Sequence, residues 1–154
     1  MRELKQIILH HTGGLAGKFD SPWLIDWRHR HLRGWDEIGY HFLIGAGWLT
    51  IEGQIYAGRS IEKEGAHARG CNGDSIGVAL IGNFNRGAPA QKQIKSLVRL
   101  IAELCEKYRI PIHGIYGHNE KYSTNCPGRY VDMREIRMLV GIEMTRSIME
   151  SPNK

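Results

Sequence analysis

Three residues carry side chains that suit a single metal ion: His10, His118 and Cys126. Two imidazoles and a thiolate form a donor set that zinc favours. Three protein ligands leave the fourth tetrahedral position open, which is the catalytic rather than the closed structural pattern. Zinc held in this way lowers the pKa of a bound water to about 7, so a nucleophile becomes available at neutral pH. No C-x-x-C or H-E-x-x-H motif reinforces the grouping. Spacing alone leaves a second reading open, with His10 a satisfied core histidine, His118 at the surface and Cys126 merely buried. His10 and His11 are adjacent at the end of an apolar run. Neighbouring side chains on a strand point to opposite faces, so only one of the pair readily joins a given site.

The segments that must place these residues follow from pattern. Residues 6–10 (QIILH) read as a short buried strand ended by Thr12-Gly13-Gly14. Ser21 as N-cap and Pro22 at the first helical position open a helix that should run to about Leu32 and stop at Gly34. Residues 39–44 (GYHFLI) read as a strand. Residues 48–51 and 54–57 flank Glu52-Gly53 as a tight hairpin. Residues 75–82 (SIGVALIG) are the most apolar strand and belong at the centre of a sheet. In residues 89–109, Ile94, Leu97, Val98, Ile101, Leu104, Cys105 and Tyr108 recur in steps of three and four, which predicts an amphipathic helix that Pro111 ends. Residues 112–117 predict another strand. Asp132 with Glu135 resembles a capping box before a last helix to about Met149, with a frayed tail over 150–154. Together these predict a single α/β domain over 1–154: one mixed sheet of about five strands covered by about three helices.

Composition limits the classes of function. The chain has 154 residues, 42% hydrophobic and 24% charged, with 21 Lys+Arg against 16 Asp+Glu for a net charge of +5. That apolar content excludes a wholly disordered chain, and no run approaches the ~18–20 apolar residues of a membrane-spanning helix. The positive charge suits a polyanionic partner. No basic motif with interleaved aromatics supports nucleic acid. The cysteines, Cys71, Cys105 and Cys126, are odd in number, which argues against a disulfide scaffold. The first residues, MRELKQIIL, lack the long apolar core and cleavage site of a secretory signal, so the chain is expected to stay in the cytoplasm.

Four segments occur in a familiar order: IILHHT (7–12), GWDEIGYHFLI (34–44), GAHARGCNGDSIGVALIGNF (65–84) and GHNEKYSTNCPG (117–128). They resemble the zinc N-acetylmuramoyl-L-alanine amidases of the type-2 family, which include phage amidase endolysins and animal peptidoglycan recognition proteins. The resemblance spans about residues 5–140. It implies one Zn2+ on His10, His118 and Cys126, with His11 facing away. It implies that Tyr40 is an active-site phenol able to donate a hydrogen bond to a developing oxyanion. His41, next in the strand, is expected to be structural. Some phage relatives carry lysine at the position of Thr124; here, as in catalytic recognition proteins, it is threonine, which offers a hydrogen bond without a charge. His67 and Asn72 are implied at a substrate groove. Glu120 is expected to orient a neighbour, and Lys121 to be solvated. Cys71 is expected to be a free thiol and Cys105 a core residue. Most of Trp23, Trp27, Trp35 and Trp48 are expected to fill the core, and the cluster Arg28, His29, Arg30, His31 and Arg33 to form a solvated helix face.

The implied activity is hydrolysis of the amide between N-acetylmuramic acid and L-alanine in peptidoglycan by a monomeric, phage-type endolysin that acts on the wall after the membrane is breached. The alternative setting is recycling of free muropeptides in the cytoplasm. The competing class is a module that recognises peptidoglycan without cutting it. Relatives of that kind typically lack the cysteine ligand, and Cys126 is present here.

Overall fold

The computed structural model describes residues 2–150. Five strands form one sheet in the order β3-β2-β4-β1-β5, where β1 is Gln6–His11, β2 Phe42–Ile44, β3 Ile55–Ala57, β4 Ser75–Leu80 and β5 Ile115–Gly117. The four strands β2, β4, β1 and β5 run parallel, and β3 closes one edge antiparallel to β2. A parallel sheet must be covered on both faces, so its central strands read as unbroken apolar runs. Every residue of β1 and β4 is accordingly buried.

Helix α1 (Pro22–Arg33) covers one face, and α2 (Gln91–Tyr108) with α3 (Met133–Glu150) covers the other. Ile7 and Leu9 of β1, with Ile76, Val78 and Leu80 of β4, join Leu97, Ile101 and Leu104 of α2 and Ile136 and Val140 of α3 in the larger core. On the opposite face Ile25 of α1 packs with Leu43, Ala79 and Ile81. The period-two alternation of β1 therefore sends His10 to the α1 face and His11 to the α2 and α3 face.

The helix ends follow their local chemistry. Ser21 Oγ accepts from the Leu24 N–H at 3.2 Å, and Gly34 ends α1 at φ 69°. The buried Asp20 pairs with Arg28, which ties α1 to the loop before it. Buried Gln93 on α2 accepts from the Ala90 N–H at 3.2 Å. Its amide donates to the carbonyls of Ile44 (3.3 Å) and Ile81 (2.9 Å), closing the ends of β2 and β4. At α3, Asp132 accepts from the Arg134 N–H (2.8 Å) and the Glu135 N–H (3.4 Å).

Three expectations are corrected. The tight hairpin at Glu52-Gly53 is absent: β3 pairs with β2, Phe42 opposite Ala57, and residues 48–51 lie in the loop between them. Thr50 Oγ1 organises that loop by accepting from the Ala46 N–H at 3.0 Å, which competes with strand pairing. The 39–44 strand begins only at Phe42: the consecutive N–H groups of Gly58 and Arg59 bond the carbonyls of His41 and Tyr40, where a regular antiparallel ladder uses alternate residues. Residues Ile112–Gly114 form a 3-10 turn before β5. Residues 151–154 of the expected tail lie outside the described residues, while Glu150 is still helical.

Candidate metal centre

The C-terminal ends of the parallel strands share one edge of the sheet, where ligand sites of open α/β sheets gather. His10 lies near the end of β1. The register Leu9 opposite Gly117 brings His118, the residue after β5, alongside it. A loop then returns Cys126 to the same place, and its Sγ accepts from the His11 N–H at 3.4 Å. One ligand atom from each of His10, His118 and Cys126 falls within 4.8 Å of the others. The Cys126 Sγ to His10 Nδ1 distance is 3.6 Å. A tetrahedral zinc with Zn–N of ~2.0–2.1 Å and Zn–S of ~2.3 Å sets its N and S ligands about 3.6 Å apart.

Burial acts oppositely on the readiness of two of these donors. Burial, with His67 and His118 nearby, holds His10 well below its ordinary pKa, so the ring is a neutral ligand. Burial pushes the Cys126 thiol up to about 12. A thiol between neutral imidazoles keeps its proton at neutral pH, and a cation among the donors is what makes the thiolate favourable.

The ring of His10 is held from behind. Its Nε2 lies 3.0 Å from His67 Nδ1, and His67 Nε2 lies 3.4 Å from Ser75 Oγ. With Nδ1 of His10 turned to Cys126, Nε2 carries the proton and donates to His67, whose own N–H faces the serine. Gly65 and Gly77 leave the room this imidazole needs, since a Cβ at either position would collide with the His67 ring. Asn72 fixes the loop: its Oδ1 accepts from the His67 N–H (3.0 Å) and the Ala68 N–H (2.8 Å).

Tyr40 stands beside the cluster, its ring centroid 5.3 Å from that of His10. Burial, reinforced by Cys126, raises its phenol well above the ordinary value, so it is a hydrogen-bond donor throughout the neutral range. Thr124 Oγ1 accepts from the Cys126 N–H at 3.2 Å, which shapes the cysteine loop and leaves the hydroxyl proton free to donate.

The N-acetylmuramoyl-L-alanine amidase profile matches residues 1–129. The chain belongs to the N-acetylmuramoyl-L-alanine amidase family. Among curated relatives, peptidoglycan-recognition protein SC2 of Drosophila melanogaster is 34% identical over 141 residues, covering 87% of this chain and 73% of the relative. Among solved structures, the N-acetylmuramoyl-L-alanine amidase LysC from Clostridium intestinale URNW superposes with a TM-score of 0.80 at 34% identity, covering 91% of this chain and 87% of that one. The complex of tracheal cytotoxin with the recognition proteins LCa and LCx gives 0.73 at 27% identity, covering 85% and 80%.

In this amidase-family chain several side chains differ from their expected places. Both ring nitrogens of His67 face protein partners, so the half-buried ring supports His10. The Asn72 carbonyl oxygen is likewise committed to its own loop. His29 leaves the expected solvated cluster. It is 8% exposed, accepts from the Gly39 N–H on Nδ1 at 3.0 Å, and has its ring 5.7 Å from Tyr40. Most of the tryptophans are outside the core: Trp23, Trp27 and Trp48 are exposed, and only Trp35 is half-buried. His11 accepts from the Phe84 N–H (3.1 Å), and His41 accepts from the Gly77 N–H (2.9 Å), each away from the donors. Glu120 accepts from the Gly117 N–H (2.8 Å) and holds Arg137 in a two-pronged pair at 3.0 Å, bracing the His118 turn against α3. Lys121 Nζ lies 3.5 Å from the Tyr116 ring centroid. Cys71 is free and half-buried, and Cys105 is buried in the core.

Sequence pattern gave no sign of Arg59. It is 8% exposed and donates to the carbonyls of Ile38 (2.9 Å) and Glu64 (2.8 Å), clamping the segment that carries Tyr40. An arginine beside a glycine in a polar loop reads as surface, and only the tertiary closure of 38–40 on 58–64 gives it buried partners.

Proposed function

We propose that the chain is a zinc-dependent peptidoglycan amidase that hydrolyses the amide between the lactyl group of N-acetylmuramic acid and L-alanine, in the manner of a phage-type endolysin. The observation that carries this reading is the convergence of His10, His118 and Cys126 within 4.8 Å beside a protonated Tyr40, in a chain of the amidase family. Zinc held by these three would supply Lewis acidity toward the amide carbonyl and a water nucleophile at neutral pH. Tyr40 donates a hydrogen bond to the amide oxygen as charge builds on it, and the Thr124 hydroxyl adds a second donor. His67 and Ser75 fix the tautomer and angle of His10. As the carbonyl carbon gains a C–O bond from water, its C–N bond breaks. The lactyl carboxylate is released on the glycan side, and the alanine amine leaves with a proton. Similarity to the endolysin LysCS from Clostridium intestinale URNW, at 34% identity and a TM-score of 0.80, supports the lytic setting.

Metal analysis paired with peptide release from purified peptidoglycan tests the reading. One zinc per chain and release are expected for the unmodified protein, with both lost in Cys126→Ala. Zinc binding without release would assign the chain to peptidoglycan recognition instead. A metal-replete protein that holds no zinc would overturn the mechanism.

A further inference from the structure

A cleft of about 590 Å³ opens at the C-terminal ends of β1, β2 and β4, and none of His10, Tyr40, His118 or Cys126 lines it. Its volume lies within the range of small-molecule sites. One wall is an aromatic pair: Phe19 and Trp48, ring centroids 4.7 Å apart and tilted by 54°. Both rings are solvent-facing, 49% and 68% exposed. Lys18 Nζ lies 4.9 Å from the Trp48 centroid and 5.7 Å from that of Phe19. Arg86 adds a second cation to the lining and makes no side-chain hydrogen bond or ion pair among the described residues.

The backbone at Trp48 is the deciding feature. Its φ is +59°, a left-handed conformation that a bulky side chain rarely adopts. Such strain persists where the surrounding structure imposes it, and it concentrates at sites of function. Here no core burial compensates, because the strained residue directs its indole outward. A glycine or asparagine would suit the turn better and would remove the ring.

We propose that this cleft is a second binding site, separate from the metal centre, for the glycan strand of the polymer, with the apolar faces of N-acetylated amino sugars stacked on Trp48 and Phe19. Exposed, tilted aromatic rings offer flat apolar surface to the C–H faces of pyranose rings, while their surroundings stay open to water-exposed hydroxyl and acetamido groups. Lys18 and Arg86 face the lactyl carboxylates that appear along a strand as its stem peptides are removed. The site would keep the protein on a strand it has begun to strip. The identity of the polymer rests on the peptidoglycan reading above; the stacking chemistry does not.

The test uses the full chain with zinc and a soluble β-1,4-linked N-acetylglucosamine tetramer, which has neither a stem peptide nor a scissile lactyl amide. The tetramer is expected to quench tryptophan emission saturably. Glycan strands stripped of peptide should bind more tightly than the tetramer, with an advantage that shrinks as salt is raised. Trp48→Asn and Phe19→Ala should each weaken tetramer binding about tenfold or more, with hydrolysis of a small soluble muramyl-peptide unchanged. Trp48→Asn should also keep or raise the thermal midpoint, which a merely structural tryptophan would not allow. Cys126→Ser should retain tetramer binding. No binding of either glycan, undiminished binding in both aromatic variants, or loss of binding in Cys126→Ser would overturn the proposal. Glycan binding by a protein that does not hydrolyse peptidoglycan would remove the amidase reading and leave this site standing. Hydrolysis without glycan binding would do the reverse.

Discussion

At the scale of single residues, the donor cluster depends on groups outside it. His67 accepts from His10 and so selects which nitrogen of His10 faces Cys126. Removing such a partner typically weakens metal affinity 10–100-fold. His67→Leu is therefore expected to lower zinc affinity by roughly that range in chelator competition, while His67→Gln, which keeps an acceptor, should recover part of it. Equal affinities in both variants would show that His67 only fills space. In the proposed hydrolysis Tyr40 acts at a different stage. Tyr40→Phe should retain zinc and substrate affinity but lose ~10²–10³ in kcat, the usual cost of one oxyanion donor. A change confined to KM would place the phenol in binding instead. Part of this site is legible in the sequence: strand alternation admits only one of His10 and His11, the resemblance to the amidase family selects His10, and Cys126 is a donor with no disulfide partner. The inward turn of His67 and His29 is not legible. A histidine between small or charged neighbours looks solvated until the chain closes over it.

At the scale of elements, the site is built by the register of parallel strands and by bracing from α3. The strands β1 and β4 are readable because burial on both faces leaves uninterrupted apolar runs. The α2 stripe is readable because steps of three and four cannot serve a strand. The short elements are harder to read. Three-residue strands such as β2, β3 and β5 carry too few positions to show a period, and turn chemistry at Thr50 displaces the expected hairpin. Where an element supports the site, the effect of a substitution can be stated. Gly77 sits in the middle of β4 with the His67 imidazole against it, so Gly77→Ala forces that ring away from His10. Overpacking of this kind costs typically 1–3 kcal/mol. The variant is expected to lose about that much stability in urea unfolding and to weaken zinc binding in the same direction as His67→Leu. A stability loss with undisturbed zinc affinity would separate the strand from the site.

At the scale of the whole molecule, the fold is held partly by histidines that it keeps neutral, and this sets the direction of its pH response. Burial lowers His29 and His41 to about 4 and His67 to about 3, against 6.5 when free. His29 and His41 each use Nδ1 to accept a backbone N–H, from Gly39 and Gly77 respectively, which a protonated ring cannot do. Each depressed pKa means that the unfolded chain binds a proton before the folded one does. Stability is then fully present above about pH 6.5, falls as the pH drops from there toward 4, and levels once the folded rings also protonate. His29 allows this to be isolated, because it lies away from the donor cluster and an asparagine oxygen can replace Nδ1 as acceptor. His29→Asn removes one titrating group, so its slope of unfolding free energy against pH between 4 and 6.5 should be shallower by up to about 1.4 kcal/mol per pH unit. Urea unfolding of chelator-treated wild type and variant across that range measures the difference directly. Parallel curves would mean that His29 titrates in the folded protein as it does in the unfolded chain, and its bond from Gly39 would then need another explanation. A shallower curve would identify neutral buried imidazole as part of what closes α1 over the sheet, and hence of what holds Tyr40 beside His10.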